Sequence, residues 1–575
     1  MSSALLALAA TALTACAGAP RDDTLTGEYL TGRFAARSNA LDAAASAYAD
    51  ASAAAPGVAS ISGRAFAYQL ASGDIPKAAM FAGRILAVSD DNQNGGLGLA
   101  HLTVAARSMK AGGYARAKGE LAHGVSPGYL EPVAYMIGVW ADAGLNGPEA
   151  GLERLGNPDT DFIRAFAPLH RALLAEQAGR FDDARDAHQA SVMSPLGGIE
   201  ARIAFGAFLE RSGDVPAARE FYALMAQEPG PARRAAEAGL KRLDAGRQSR
   251  AYSKTTPVEG GALAFYALGE ALLQQMALQH AAAARAGFSP QDASFVLPLS
   301  LAQIALYLDP SLDAARRRIA SIYNLYGDYE RAIEILDGVT PASPHYEQAR
   351  VEQASALATL GAEDEAIKLL KKTARQDKEA AEARLALAGL LAAQDRHEDA
   401  VKVLTGVISG LDDNPEEDAW RFFVARGASL LELDRWPEAE ADLKRAVEIA
   451  PEEETALNYL GYSWAERGVN LEKAFDLIEK AVSLRPGSGA ITDSLGWAHY
   501  QLGNYEEAVI QLERAAAMEP ADPTITDHLG DVYWRLGRKL EARYQWMRAL
   551  ELDPGEKLRA AIEMKLAKGL PDADQ

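Results

Sequence analysis

TDSLGWAHYQLGNYEEAVIQLERAAAMEP (residues 492–520) is answered 34 residues later by TDHLGDVYWRLGRKLEARYQWMRALELDP (526–554). Both stretches carry Leu-Gly, an Ala twelve residues after the Gly, a second Ala seven further on and a closing Pro. In the first these are Leu495-Gly496, Ala508, Ala515 and Pro520; in the second Leu529-Gly530, Ala542, Ala549 and Pro554, with Tyr533 as the aromatic. The copy before them, Leu460-Gly461, Trp464, Ala474, Ala481 and Pro486, has one residue inserted around Val469-Asn470. A period in the range of about 20 to 50 residues turns every motif inside it into a structural position first and a chemical one second.

The small residue that opens the second half of each copy serves as a ruler. It falls at Ala44, Ala78, Ala117, Ala150, Ala184, Ala218, Ala332, Ala366, Ala400, Ala439, Ala474, Ala508 and Ala542, mostly 34 residues apart. The long gap from Ala218 to Ala332 hides one degenerate copy with Pro298 at the Ala position. Two wider steps coincide with polar or Gly-rich insertions near Asp90 to Gly98 and Leu411 to Asp418, read as loops between units. This pattern resembles the tetratricopeptide repeat, a helix-turn-helix unit of 34 residues. The fold class expected is therefore all-α, a helix-turn-helix solenoid. Two short amphipathic helices meet where Gly and Ala let backbones approach, and the aromatic three residues before the ruler, as at Tyr114, Phe181, Tyr329, Trp436 and Tyr505, is read as core. One pair cannot bury its own apolar faces, so neighbours stack and share a core. Pro ends each second helix because it lacks a donor and biases its predecessor out of the helical region.

This reading divides the chain into a signal segment (1–15), a linker (16–26), a first array (27–240), an irregular joint (241–290), a second array (291–555) and a capping helix with its tail (556–575). The stretch 241–261 is polar and turn-rich, and Leu263 to Ala286 is a long apolar helix that fits the repeat poorly. Two eroded repeats in an uninterrupted solenoid is the alternative reading of the joint.

Hydrophobic residues make up 49% of the 575-residue chain and aromatics only 7%, an Ala-rich balance that favours helices. The net charge of −21 repels phosphate backbones and offers no counterion release, so no nucleic acid partner is expected. The single cysteine, Cys16, excludes an intramolecular disulfide and a structural thiolate zinc site. It ends an uncharged run, Leu13-Thr14-Ala15-Cys16, after a short Leu/Ala/Thr core of the kind a secretory signal uses. That ending resembles the bacterial lipobox, although Met1-Ser2-Ser3 lacks the usual Lys or Arg. The resemblance implies lipidation of Cys16, with membrane attachment through acyl chains only. With Ala17 and Gly18 following, it implies sorting to the outer membrane, facing the periplasm.

Catalytic signatures are missing. The nine histidines fall singly in different repeats, none with HExxH spacing, and there is no GxSxG, no GxxxxGK[ST] and no complete GxGxxG. The chain is thus read as a non-enzyme that needs no metal and no cofactor. In such a stack the first helix of each unit lines an inner wall, which in the last three repeats would present Asn458, Tyr462, Asp493, Trp497, Tyr500, Asp527, Asp531 and Trp534. Aromatics beside carboxylates suit peptide recognition, so these eight are the expected partner-binding residues. Trp497 and Trp534 plugging contacts between adjacent repeats is the competing reading. Upstream repeats offer small residues instead: Ser321, Asn324, Ser355, Ala358, Gly389, Ala392 and Ala428.

The lipobox, the all-repeat body and the phrases Asn458-Tyr459-Leu460-Gly461-Tyr462 and Asp493-Ser494-Leu495-Gly496-Trp497 together resemble proteobacterial tetratricopeptide lipoproteins. Some of these act as adaptors for periplasmic carboxyl-terminal processing proteases. The resemblance implies a protein or peptide partner, with a processing protease and peptidoglycan hydrolases as specific expectations. A general envelope scaffold for outer-membrane or polysaccharide biogenesis, and a cytoplasmic repeat protein, are the alternatives.

Overall fold

The structure is a computed structural model that describes residues 25–88, 97–122, 128–156, 158, 161–228, 230–285, 295–377, 380–411, 415 and 417–571. The expected signal segment and Cys16 lie outside the described residues, as do most of the two insertions. Among the described residues the fold is all-α, a solenoid of antiparallel helix pairs without strands. Two compact units divide the chain, one ending at Ala366 and the other starting at Ile367. The described part of the expected joint, 241–285, therefore belongs to the first unit.

The ruler alanines explain why the pairs form. Twelve of the thirteen are fully buried; Ala150, in the short helix Pro148–Leu155, is half-buried. The glycine of the facing helix is the counterpart. A Cβ on Gly461 would lie 2.6 Å from Ile478 and 3.0 Å from the Ala474 carbonyl, one on Gly496 2.6 Å from Leu512, and one on Gly530 2.6 Å from Trp546. Backbones approach there because nothing projects between them. The turn inside each pair needs a left-handed residue, supplied by Gly503 (φ +80°) and Gly537 (φ +76°) and in two earlier repeats by Asp395 and Asp434 (both φ +56°). Of the five aromatics read as core, Tyr114 does fill a gap, lying over Gly144. Phe181 does not: it is 57% exposed, so the core assignment of that ring is corrected.

Successive pairs in the second unit are also joined by a latch. Lys480 donates to the Pro451 carbonyl, Arg514 to that of Pro486 and Arg548 to that of Pro520, each at 2.8 Å. Every one of these cations stands six residues after its ruler alanine. It reaches back to the proline that closed the previous repeat and gives the carbonyl of that turn a charged donor.

In the first unit the expected joint is a working part of the core. Helices Pro257–Arg285 and Val296–Leu308 pack on each other and then on first helices of the array: the former on Glu131–Asn146, the latter on Ala59–Ala71 and Gly98–Lys110. Gly260 lies so close to the Trp140 indole that no Cβ fits, and Gly261 sits against Ile137 and Leu308. Trp140 donates its indole N–H to His170 Nδ1 at 2.9 Å, and burial holds that imidazole down at about 4, neutral and fit to accept. The first helices Ala59–Ala71, Gly98–Lys110 and Glu131–Asn146 are therefore covered by the protein's own chain.

A pair of glycine substitutions separates close approach from helix propensity. Gly461→Ala should destabilise the second unit by ~1 kcal/mol or more, overriding Ala's helical advantage. Gly389→Ala, at a helical position with open space around it, should stabilise by ~0.5 to 1 kcal/mol. Denaturant titration of both variants checks the pair; equal signs would refute the packing argument.

Candidate protein-binding surface

The inner wall of the second unit is built from first helices Ala381–Ala393, Trp420–Glu432, Glu454–Glu466, Gly489–Gln501 and Pro523–Arg535, followed by the terminal helix Glu556–Lys568. It has two parts. Over the last two repeats the wall is filled. Asp493, Asp527 and Asp531 are buried at 5%, 3% and 4% exposure, which corrects the expectation that they face open solvent.

The physical reason is a set of partners on neighbouring helices, most of them one repeat away. His528 donates Nδ1–H to the Asp493 carboxylate at 3.0 Å. Lys565, from the terminal helix, donates to Asp527 and Asp531 at 2.7 Å each, and Trp546 donates its indole N–H to Asp531 at 2.8 Å. The aromatics close over these charges. Trp497 stacks on His528 (4.1 Å between centroids) on one side and on Tyr500 (4.6 Å) on the other, and Arg535 donates to the Tyr500 hydroxyl. Trp534 sits beneath Gly569, which leaves no room for a Cβ, and carries the Lys539 ammonium 3.6 Å over its ring. Trp497 thus bridges neighbouring repeats, and Trp534 is covered by the chain that follows the terminal helix.

Burial and charge set the protonation of this cluster. Burial pushes the His528 imidazole down, but Asp493, backed by Asp527 and Asp531, outweighs it and raises the group above its ordinary value. Burial, then the adjacent Asp527 carboxylate, push the Asp531 carboxyl up to about 6 against the pull of Lys565. Lys565, which burial alone would lower, is held up by Asp531 and Asp527.

Upstream the wall is open. A cavity of about 650 Å³ runs across three consecutive first helices. Its floor is small: Ala388, Gly389 and Ala392 from one helix, Ala425, Ala428 and Ser429 from the next. Tyr459, Tyr462 and Glu466 wall it from the third, Arg467 follows them, and Lys557 closes it from the terminal helix. Tyr462 is the one residue of the expected eight that lines this space; burial, then Glu466, Asp493 and Asp527, raise its phenol and keep it a neutral donor. Asn458 is half-buried with its Oδ1 enclosed and without a hydrogen-bond partner among the described residues. Gly389, Ala392 and Ala428 had been noted only as small, and a missing side chain is a faint signal for a cavity.

A second polar cluster, in the first unit, had no sequence signal. Buried Glu200 accepts from the Tyr252 hydroxyl and from His345 Nε2 at 3.3 Å. Burial raises its carboxyl, but His345 and Tyr252 overcome that and hold it below the ordinary value. This cluster ties the helix Gly198–Arg211 to the turn before Tyr346–Thr359. Among the described residues no group of three His, Cys, Asp or Glu could hold a metal ion, and no helix is long and apolar enough to cross a membrane.

Residues 326–380, 424–489 and 494–557 match a family model described as tetratricopeptide repeat, and 357–422 match a second of the same description. Residues 326–557 are tetratricopeptide repeats. A TPR repeat-containing protein of Pseudomonas aeruginosa is 42% identical over 64 residues, which are 11% of this chain and 11% of that protein's length. Among solved structures, a thermophilic TPR protein of Thermus thermophilus is 23% identical, covering 32% of this chain and 98% of its own, with a TM-score of 0.29. A tetratricopeptide repeat protein of Parabacteroides merdae is 15% identical (44% and 97% covered, TM-score 0.36). The Cut9–Hcn1 hetero-tetramer of APC/C supplies a chain 15% identical (88% and 94% covered, TM-score 0.40). Repeats of this kind serve as protein-interaction scaffolds.

The buried cluster makes a pH-dependent prediction. With its imidazole raised, His528 supplies stability that is full below the ordinary value of 6.5 and is lost as pH rises through the raised one. The stability gap between wild type and His528→Gln should therefore be wider at about pH 6 than at about pH 9, measured by urea unfolding of the tetratricopeptide repeats. A gap that stays constant would mean that His528 binds its proton equally in the folded and unfolded chain, so that its imidazole is not raised.

Proposed function

We propose that the chain is a non-enzymatic scaffold whose second unit holds an extended segment of a partner protein in the cavity over the three upstream first helices. One observation carries this reading. Six small positions on two helices leave a floor of very short side chains, and tyrosines, carboxylates and cations stand around its rim. A peptide backbone can lie close to such a floor, while tyrosines contribute contact area with few rotors and hydroxyls that pair with its amides. The reading moves the recognition site upstream of the expected aspartates and tryptophans, whose partners come from the chain itself.

Within that function we propose an envelope location, with Cys16 carrying the lipid anchor. The Leu13-Thr14-Ala15-Cys16 ending after an uncharged apolar run supports it. The resemblance to adaptor lipoproteins supports a processing protease and a peptidoglycan hydrolase as the proteins brought together.

Arginines placed on the floor test the cavity. Ala392→Arg with Ala428→Arg should leave the circular-dichroism melt unchanged, because both positions face the open space. Binding of a purified processing protease or hydrolase should fall by about tenfold or more. Unaltered binding would remove the cavity from the site, and no binding by wild type would remove those partners. Cys16→Ser, expressed in a bacterium with labelled palmitate, should lose both the label and membrane fractionation; a variant that stays with membranes would end the anchor proposal.

A further inference from the structure

The outer face of the last repeat is apolar at positions that are mostly acidic in the two repeats before it. Counting two before, two after and five after the ruler alanine picks out positions that face solvent. In Leu471–Leu484 they are Glu472, Asp476 and Glu479, all exposed; in Tyr505–Met518 they are Glu506, Ile510 and Glu513, again exposed. In Lys539–Glu551 the same positions hold Leu540 (85% exposed), Tyr544 (61%) and Met547 (50%). Spacings of four and three put them in one stripe along the helix. Ile510, at the register of Tyr544 one repeat earlier and 63% exposed, adds an apolar position to the same outer face. Contiguous exposed apolar side chains of this kind mark contact surfaces.

The charges beside the stripe indicate what covers it. Arg543 and Arg548 flank it on either side of the helix. Arg543 donates to the Leu566 carbonyl at 2.7 Å and Arg548 to the Pro520 carbonyl at 2.8 Å. Carbonyls satisfy the donors without cancelling the charge, and among the described residues neither arginine is in an ion pair. In a chain of net charge −21 the stripe of Lys539–Glu551 is thus flanked by two cations that are in no ion pair among the described residues. Four apolar side chains also fall well below the ~800 Å² per partner of a standard stable interface, which disfavours a dimer of whole chains.

We infer that Leu540, Tyr544, Met547 and Ile510 dock an amphipathic helix of a partner protein, with its apolar stripe on the patch and acidic residues against Arg543 and Arg548. Helix-on-face recognition of this type reads anchors at i, i+4 and i+7, the spacing the stripe itself has. The cavity is built by first helices and this patch by second helices, so the two surfaces are separate and the inference stands without the cavity.

Fluorescence anisotropy with a designed probe tests it on the full chain. The probe is a fluorescein-labelled helical peptide of about 20 residues with Leu at every third or fourth position and Glu on the flanks; its twin has Lys on the flanks. Wild type should bind the Glu-flanked peptide saturably below about 100 µM. L540E/Y544E, which restores the acidic character of the upstream repeats, should weaken that binding by about tenfold or more with an unchanged melt. Arg543→Glu gives an independent reading, weakening the Glu-flanked and strengthening the Lys-flanked peptide. Three results would overturn the proposal: no saturable binding, equal affinity of wild type and both variants, or self-association of wild type in sedimentation that L540E/Y544E abolishes, which would assign the patch to a second copy.

Discussion

The close approach of two helices at a glycine and an alanine is the constraint on which the molecule rests. Where Gly461, Gly496 and Gly530 meet Ile478, Leu512 and Trp546, a single added carbon would overlap its neighbour. That contact fixes the distance within each pair, and it leaves the opposite faces of both helices without cover. A pair alone would expose those faces to water, so the next pair must supply it. The latch from Lys480, Arg514 and Arg548 to the preceding proline then sets how consecutive pairs register, because a charged donor is aimed at one carbonyl.

A first-helix face uncovered by its own pair has to be covered by something else, and this protein answers from within itself at two places. In the first unit Pro257–Arg285 and Val296–Leu308 lie on the first helices, with Gly260 on Trp140. In the second unit Glu556–Lys568 covers the last repeats through Lys565. Side-chain size follows this division. Trp497, Tyr500 and Trp534 stand where the wall is filled, and Gly389, Ala392 and Ala428 where it is open. The three aromatics of the filled part report internal contact, whereas Tyr459 and Tyr462 stand at the open cavity.

This division explains which features of the sequence could be read. The fold was legible because burial at the ruler positions tolerates little but alanine, and a fixed spacing repeats that demand many times over. The site was legible only in part. Asp493 and His528 are 35 residues apart, as are Tyr500 and Arg535, and Lys565 lies 38 and 34 residues from its two aspartates. Each of these is a step of about one repeat. Partners one repeat further on leave no mark on the aspartates' own helix; the sequence suggested such contacts only for Trp497 and Trp534, and it marked the terminal helix only as a cap. Its lysine points inward. Phe181 holds the register of a core aromatic, yet it is 57% exposed.

The buried charges add a further step. A lysine between two buried aspartates is weak evidence for stability, since desolvating three charges offsets much of their attraction. Asp527 even leaves one carboxylate oxygen enclosed without a partner among the described residues. Apolar contacts, by contrast, would let the terminal helix slide or rotate by a turn at modest cost, because Leu558, Ile562 and Leu566 repeat at every fourth position. Lys565 has no such freedom. Moving it by one turn would strand Asp527 and Asp531 as buried, unpaired carboxylates, which is far more costly than leaving a methyl group in water. The ion cluster therefore acts as a register pin. It fixes where Glu556–Lys568 begins, and that placement puts Lys557 at the rim of the open cavity.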